Sequence, residues 1–313
     1  MVAIRVEGLH KRFGDVQALD GLSLTVESGS VFGFLGPNGA GKTTTIRILA
    51  GLARADSGQA WIDGLEVTAD RQQMAGRIGY LPQAPSFYPW MTAREFLDHV
   101  GRVFGLSAQE RLDRTEELLH LVGLARDADR RVGGFSGGMG QRLGIAQALV
   151  NRPPILLLDE PVSGLDPAGR KELLQLIDHL HGQCTVFMST HILADVERVC
   201  DTVAIIDRGR LLAEAPQEEL LGRYVVPAFE IEVENGLVDQ LAAWADSLKA
   251  HPWVASVSLK RTTARVMVND LEAARRELLA SAVEAGLVLD RYQIVRPSLE
   301  DVFMRLVEGE GLA

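Results

Sequence analysis

The residues best equipped for chemistry are Gly36-Pro37-Asn38-Gly39-Ala40-Gly41-Lys42-Thr43-Thr44. They fit G-x-x-x-x-G-K-[ST], a phosphate-binding loop. Glycines let the backbone curl and turn successive N–H groups inward. A following helix adds unpaired donors and a partial positive charge. In such a loop Lys42 reaches the β- and γ-phosphates of a nucleotide and Thr43 holds Mg²⁺. The chain has only five lysines, Lys11, Lys42, Lys171, Lys249 and Lys260, so Lys42 does not come from a lysine-rich patch.

A second group is Ile155-Leu156-Leu157-Leu158-Asp159-Glu160. Four aliphatics ending in acids mark a buried parallel strand. Adjacent buried acids are unfavourable without a cation, so a metal-centred reading is coherent. Asp159 would bind Mg²⁺ and Glu160 would polarise an attacking water. His191 follows Thr185–Ser189, an apolar strand, and sits where ligands meet such sheets; it is a phosphate or water contact, or a structural histidine. Gln83, after Ile78–Leu81, could approach the metal, or it is a surface turn glutamine. Phe13 could stack on adenine, although a core position is the more ordinary role. Phe135-Ser136-Gly137-Gly138-Met139 precedes a helix over Gln141–Leu149 and offers a second anion site in principle. One nucleotide needs only one phosphate cradle. The doubled feature suggests that the second acts on the nucleotide of another copy.

These residues need a scaffold. Val31–Leu35 reads as a strand entering the loop and Thr43–Leu52 as a helix leaving it. Residues 2–7 read as an edge strand, Lys11–Asp15 as a turn and Leu22–Val26 as a strand. Gln59–Ile62 leads into a hairpin turn at Asp63-Gly64. From Thr92 the pattern turns helical, with capping boxes Thr92/Glu95 and Ser107/Glu110 and a stripe of Phe96, Val100, Val103 and Phe104. Tyr88–Met91 is an apolar group at its entrance, suited to a partner or to packing. Thr202–Ile206 and Arg210–Leu212 form a last hairpin. The elements after residue 228 read β-α-β-β-α-β, a ferredoxin-like order, with no catalytic cluster.

The chain has 313 residues, more than one core usually holds. The expected division is 1–221 with a helical part at about 88–150, a linker at 222–228, and a small α+β unit at 229–313. The net charge of −10 argues against a nucleic-acid partner. Cys184 and Cys200 lack metal-ligand spacing and read as buried thiols. No apolar run reaches 18 residues, so the chain is not expected to span a bilayer by itself.

Taken in order, the motifs resemble the nucleotide-binding subunit of an ATP-binding cassette (ABC) transporter. Gly36–Thr44 resembles the Walker A loop, Gln83 the Q-loop glutamine, and Ser136-Gly137-Gly138-Met139 the signature. Ile155–Asp159 resembles Walker B with Glu160 as catalytic glutamate, Ser163-Gly164-Leu165-Asp166 the D-loop, and His191 the switch histidine. Phe13 falls at the adenine-stacking position. The resemblance implies an α/β P-loop NTPase: a RecA-like core with an antiparallel β part and a helical subdomain. It implies ATP hydrolysis with Mg²⁺ on Thr43, Gln83 and Asp159. It also implies head-to-tail pairing, in which Ser136 and Gly138 act on the ATP of a second copy or a paralogue. The partner would be a separate permease, placing the chain at the cytoplasmic face of the membrane.

Met139 stands where the signature usually has glutamine, which would add a polar contact, and Phe135 replaces a common leucine. This departure resembles the branch whose partners are ABC-2-type exporter permeases. That branch often carries an added C-terminal domain ending much like Arg296–Phe303. The alternative is a non-transport cassette working on ribosome, DNA or an assembly complex.

Overall fold

The computed structural model describes residues 1–68, 71–223, 228–295, 299–300 and 302–303. The chain divides into two compact units, Met1–Gln217 and Glu218–Ala313.

In the first unit the chain runs β1 (Val2–Phe13), β2 (Val16–Glu27), β3 (Val31–Leu35), α1 (Lys42–Leu49), β4 (Ser57–Ile62), β5 (Leu65–Glu66), α2 (Arg71–Met74) and β6 (Ile78–Leu81). The helices α3 (Ala93–Val103), α4 (Ala108–Leu121) and α5 (Gly137–Leu149) follow. The chain then returns through β7 (Ile155–Asp159), α6 (Pro167–His179), β8 (Thr185–Thr190), α7 (Leu193–Val199), β9 (Thr202–Asp207) and β10 (Arg210–Pro216), and α8 (Gln217–Arg223) opens the second unit.

Two sheets result. One is antiparallel, in the order β2-β1-β4-β5; the other runs β10-β9-β3-β8-β7-β6, with only β10 antiparallel to its neighbour. They share one core, in which Ile4, Val6 and Leu24 of the first sheet join Phe32, Phe34 and Phe187 of the second and Ile46 and Leu49 of α1. Every residue of β3, β7 and β8 is buried, as a central parallel sheet requires. Phe187 stacks on Phe32 at 5.3 Å between ring centroids. The expected α/β P-loop architecture is therefore present.

Several local expectations need correction. Strand β1 is not an edge over residues 2–7; it runs to Phe13 and lies between β2 and β4. A break in register between Val6 and Leu9, with Gly8 at φ 56°, interrupts the alternation and hides the continuation. The turn at Lys11–Asp15 shrinks to Gly14-Asp15. Both capping boxes form as expected. The apolar stripe of α3 does not: Phe96 is buried, but Val103 is 73% exposed and Phe104 42%. The buried face is Ala93, Phe96, Leu97 and Gly101, offset from the expected one by the small residues it uses.

The second unit holds β11 (Ala228–Val233), α9 (Val238–Leu248), β12 (Val254–Lys260), β13 (Thr263–Val268), α10 (Leu271–Glu284) and β14 (Leu289–Val295). Its sheet order, β12-β13-β11-β14, is antiparallel throughout, which is the ferredoxin-like arrangement. Phe229, Ile231 and Val266 form a core with Leu241, Trp244 and Leu278 of the helices. Of the linker expected at 222–228, residues 224–227 lie outside the described residues, as does most of the closing helix expected over 299–307.

Candidate functional site

Strand β3 delivers the chain to Gly36, and α1 begins at Lys42. Two glycines of the loop are required by their surroundings. A Cβ on Gly36 would lie 2.4 Å from Ile206 O, and one on Gly41 would lie 2.5 Å from Ala18 O. Gly41 also has φ 109°, outside the range of other residues. The loop is thereby clamped between β9 and β2.

Lys42 is buried, 6% exposed, and its charge is fully partnered. Nζ donates to Gly36 O at 2.7 Å and Pro37 O at 3.1 Å, and pairs with Glu160 Oε1 at 3.2 Å. Glu160 Oε2 lies 2.8 Å from His191 Nδ1. One carboxylate thus bridges the loop lysine and the histidine that follows β8. Glu160 holds this place at φ 49°, a left-handed conformation uncommon outside glycine.

Asp159 ends β7 one residue earlier. Its Oδ1 accepts from Thr43 Oγ1 at 3.0 Å and from Ser189 Oγ at 2.9 Å. Burial pushes the Asp159 carboxyl above the usual carboxylate range and the neighbouring Glu160 charge adds to this, against the hydrogen bonds from Ser189 and Thr43. A carboxylate so placed favours a cation beside it. Mg²⁺ fits this donor set: it is a hard ion that takes one or two carboxylates together with substrate phosphates. Thr43 and Asp159 supply such oxygens.

A cleft of about 370 Å³ is lined by Val16, Ala18, Asn38, Gly39, Gly41, Lys42, Thr43, Thr44, Gln83 and Glu160. Gln83 therefore faces the same space as the loop. Phe13 is not in the core; it is 55% exposed, with Lys11 Nζ 5.2 Å from its ring centroid. A larger hollow of about 460 Å³ at Arg114, Arg152 and His179 contains neither the loop nor the acids.

The second glycine-rich stretch differs. Helix α5 starts at Gly137, not Gln141, and Ser136 caps it, with Oγ accepting from Met139 N at 3.3 Å. Glycines in the first turn mask the helix in sequence because they are poor helix formers. A Cβ on Gly137 would meet nothing within 4 Å, and one on Gly138 only Leu165 Cδ2 at 3.8 Å. Ser136 and Gly137 instead border a hollow of about 280 Å³ with Gln83, Ser163, Gly164 and Leu165. Asp166 caps α6 by accepting from Gly169 N at 3.0 Å.

Some contributors are not among the expected residues. Ser189 ties both acids, since it donates to Asp159 and accepts from Glu160 N at 3.0 Å. Its position at the end of a buried strand was the available signal. Gln141 is buried and its Nε2 donates to Gln83 O at 3.0 Å, linking α5 to the turn after β6. No sequence signal marks that pair.

The strand–loop–helix cradle, the acid-ended parallel strand and the sheet order define a P-loop nucleotide-binding protein. The comparisons with known proteins make the class narrower. The family described as ABC transporter matches residues 19–163, and that of the DrrA1-3-like ATP-binding protein C-terminal domain matches residues 223–307. The ABC transporter ATP-binding protein YxlF of Bacillus subtilis is 40% identical over 98% of this chain and 100% of its own length. The bacitracin transport ATP-binding protein BcrA of Bacillus licheniformis is 37% identical, covering 98% and 97% of the two chains. The daunorubicin resistance ATP-binding protein DrrA2 of Streptomyces coeruleorubidus is 37% identical over 97% and 94%. Among solved structures, the dimeric cassette MJ0796 bound to ADP and Pi superposes with a TM-score of 0.62 at 28% identity, covering 68% of this chain and 98% of that one. The chain belongs to the ATP-binding proteins of ABC transporters, in the ABC-2 exporter branch that carries an added C-terminal domain.

Proposed function

We propose that the chain hydrolyses ATP with Mg²⁺ and thereby drives a separate permease of the ABC-2 type. The observation that carries this is Glu160, held between Lys42 and His191 at the mouth of the loop and next to the Asp159–Thr43 pair. On this reading Lys42 and the loop amides of Gly36–Thr44 bind the phosphates, and Phe13 stacks on the base. Asp159 and Thr43 hold Mg²⁺, with Gln83 facing it. The metal neutralises charge on the phosphates when bound. Glu160 takes a proton from the attacking water, and His191 orients the Glu160 carboxylate through its ring nitrogen.

Ser136, Gly137, Gly138 and Met139, with the D-loop at Ser163–Asp166, serve a second copy or a paralogue. Gly137 and Gly138 support this reading. Glycine in a helical first turn costs up to ~1 kcal/mol against alanine, and neither glycine meets an obstacle in its own chain. Open space at the helix start suits a ligand arriving from outside. Tyr88 and Trp90, 45% and 65% exposed with ring centroids 5.3 Å apart, are offered to the permease. Such a chain works at the cytoplasmic face of the membrane. Among the described residues no helix is long and apolar enough to cross one.

The deciding experiment is affinity capture of the Glu160→Gln chain from detergent-extracted native cells with ATP and Mg²⁺, followed by mass spectrometry. A multi-span permease in near-equal amount is expected. Capture of ribosomes or DNA-bound proteins alone would overturn the transport reading. The second unit is read as an accessory domain, regulatory or for pairing. Truncation after residue 222 should leave a folded cassette that binds ATP, whereas wholesale aggregation would mean that the tail completes its core.

A further inference from the structure

Position 139 ends the signature with a thioether. A thioether sulfur donates no hydrogen bond and accepts weakly. The side chain that meets it is Arg130, whose Nη1 lies 3.9 Å from Met139 Sδ. Arg130 is also fixed at three other points. Its Nη2 donates to Gly134 O, its Nη1 faces Asp127 Oδ1 at 3.5 Å, and its guanidinium carbon lies 6.0 Å from the Phe135 ring centroid. The side chain is still 52% exposed. Guanidinium carries five donors in a rigid fork, so these contacts leave hydrogens free to point outward. The result is a cation lying against both ends of the signature stretch, at Phe135 and at Met139.

We propose that Arg130 supplies the donor that Met139 lacks, binding an oxygen of the nucleotide held by a second copy of the chain. This rests on the head-to-tail reading above. The N-terminus of α5 contributes only partial charge, and Ser136, whose oxygen accepts from Met139 N, has a single neutral O–H left to donate. A nucleoside triphosphate arriving at this face is strongly anionic. A fixed guanidinium is matched to its phosphate oxygens in geometry and in sign. The thioether takes an Nη1 hydrogen only as a weak acceptor, and it has no donor of its own to compete for a nucleotide oxygen. An amide at position 139 and an arginine at position 130 are therefore two ways of placing one donor at one spot.

A brace that merely shapes the loop makes a different prediction. Glutamine at position 139 restores a donor toward the nucleotide, but it cannot restore the bonds from Arg130 to Gly134 O and Asp127. The test uses the full-length chain carrying Glu160→Gln, with Mg²⁺. Sedimentation gives the ATP concentration for half-maximal dimer formation, and a fluorescent ATP analogue at low protein concentration reports binding to the monomer. Adding Arg130→Ala should raise the first roughly tenfold, the size expected for a charged hydrogen bond, and leave the second unchanged. Adding Met139→Gln as well should recover most of the loss. An unchanged dimer curve in the Arg130→Ala chain overturns the proposal, as does a loss that Met139→Gln fails to recover. Ser136→Ala is the reference for the reading beneath it. If Ser136→Ala weakens the dimer while Arg130→Ala does not, head-to-tail pairing stands and the role of Arg130 falls. If the parent stays monomeric at saturating ATP, both fall.

Discussion

The cassette contains two glycine-rich helix starts, and they are built on opposite terms. At α1 the glycines are forced by the chain itself: Ile206 O and Ala18 O leave no room for a Cβ at Gly36 and Gly41. The lysine there is buried, and side chains from two strand ends converge on it and its neighbour: Asp159 and Glu160 at the end of β7, and Ser189 and His191 at the end of β8. At α5 a Cβ on either glycine would meet no atom closer than Leu165 Cδ2 at 3.8 Å, and among the described residues the carboxylate paired with the Arg130 guanidinium is Asp127. The first is a site completed within one chain. The second has a capped helix start with room before it, as the proposed pairing with a second copy requires.

The difference can be attacked directly. The largest expected effect is on the complete site. Glu160→Gln should slow hydrolysis by at least ~100-fold, the scale of a lost general base, with ATP binding retained; near-normal single-turnover rates would remove Glu160 from that role. Next comes the contrast in glycines. Gly36→Ala should destabilise the fold by ~1–3 kcal/mol, as overpacking against a backbone atom does, and lower the melting temperature by several degrees. Gly138→Ala should leave melting unchanged or slightly raised, since alanine is the better helix former, yet impair hydrolysis at high protein concentration. Equal melting losses in the two variants would erase the distinction between the two glycine-rich helix starts.

Ser189→Ala should be milder than Glu160→Gln in rate but visible in stability, by ~1–3 kcal/mol, because it strips a buried hydrogen bond from Asp159. Phe13→Ala should be the smallest. Its ring is half exposed, so unfolding should move within about ±0.5 kcal/mol while ATP affinity falls severalfold. A large stability loss instead would return Phe13 to a packing role.

Contiguous features are legible in the sequence. Val31–Leu35 and Ile155–Asp159 announce themselves as strands because burial on both faces forces apolar runs. Thr92/Glu95 and Ser107/Glu110 announce their helices because capping is local chemistry. The ferredoxin-like order after residue 228 was visible for the same reason. What escaped was tertiary. Ser189 meets Asp159 across 30 residues of sequence and Gln141 meets Gln83 across 58, so no window reports either pair. Arg130 reads as one arginine among many until Met139 is found beside it. Local propensity also misled. Glycines at 137 and 138 hid the first turn of α5, a bulge at Gly8 cut β1 short, and small residues in α3 turned its buried face away from Val103 and Phe104.

Glu160 carries a further consequence through its backbone. A side-chain-bearing residue at φ 49° is disfavoured by about 1–2 kcal/mol, and asparagine tolerates that conformation better than most. Glutamine imposes the same demand as glutamate, so a Glu160→Gln chain differs in chemistry without a change in backbone ease. Asparagine would ease the backbone but leave the buried Lys42 without its carboxylate, so the two effects on heat resistance oppose each other at this one position. Engineering for shelf life should hold position 160 fixed.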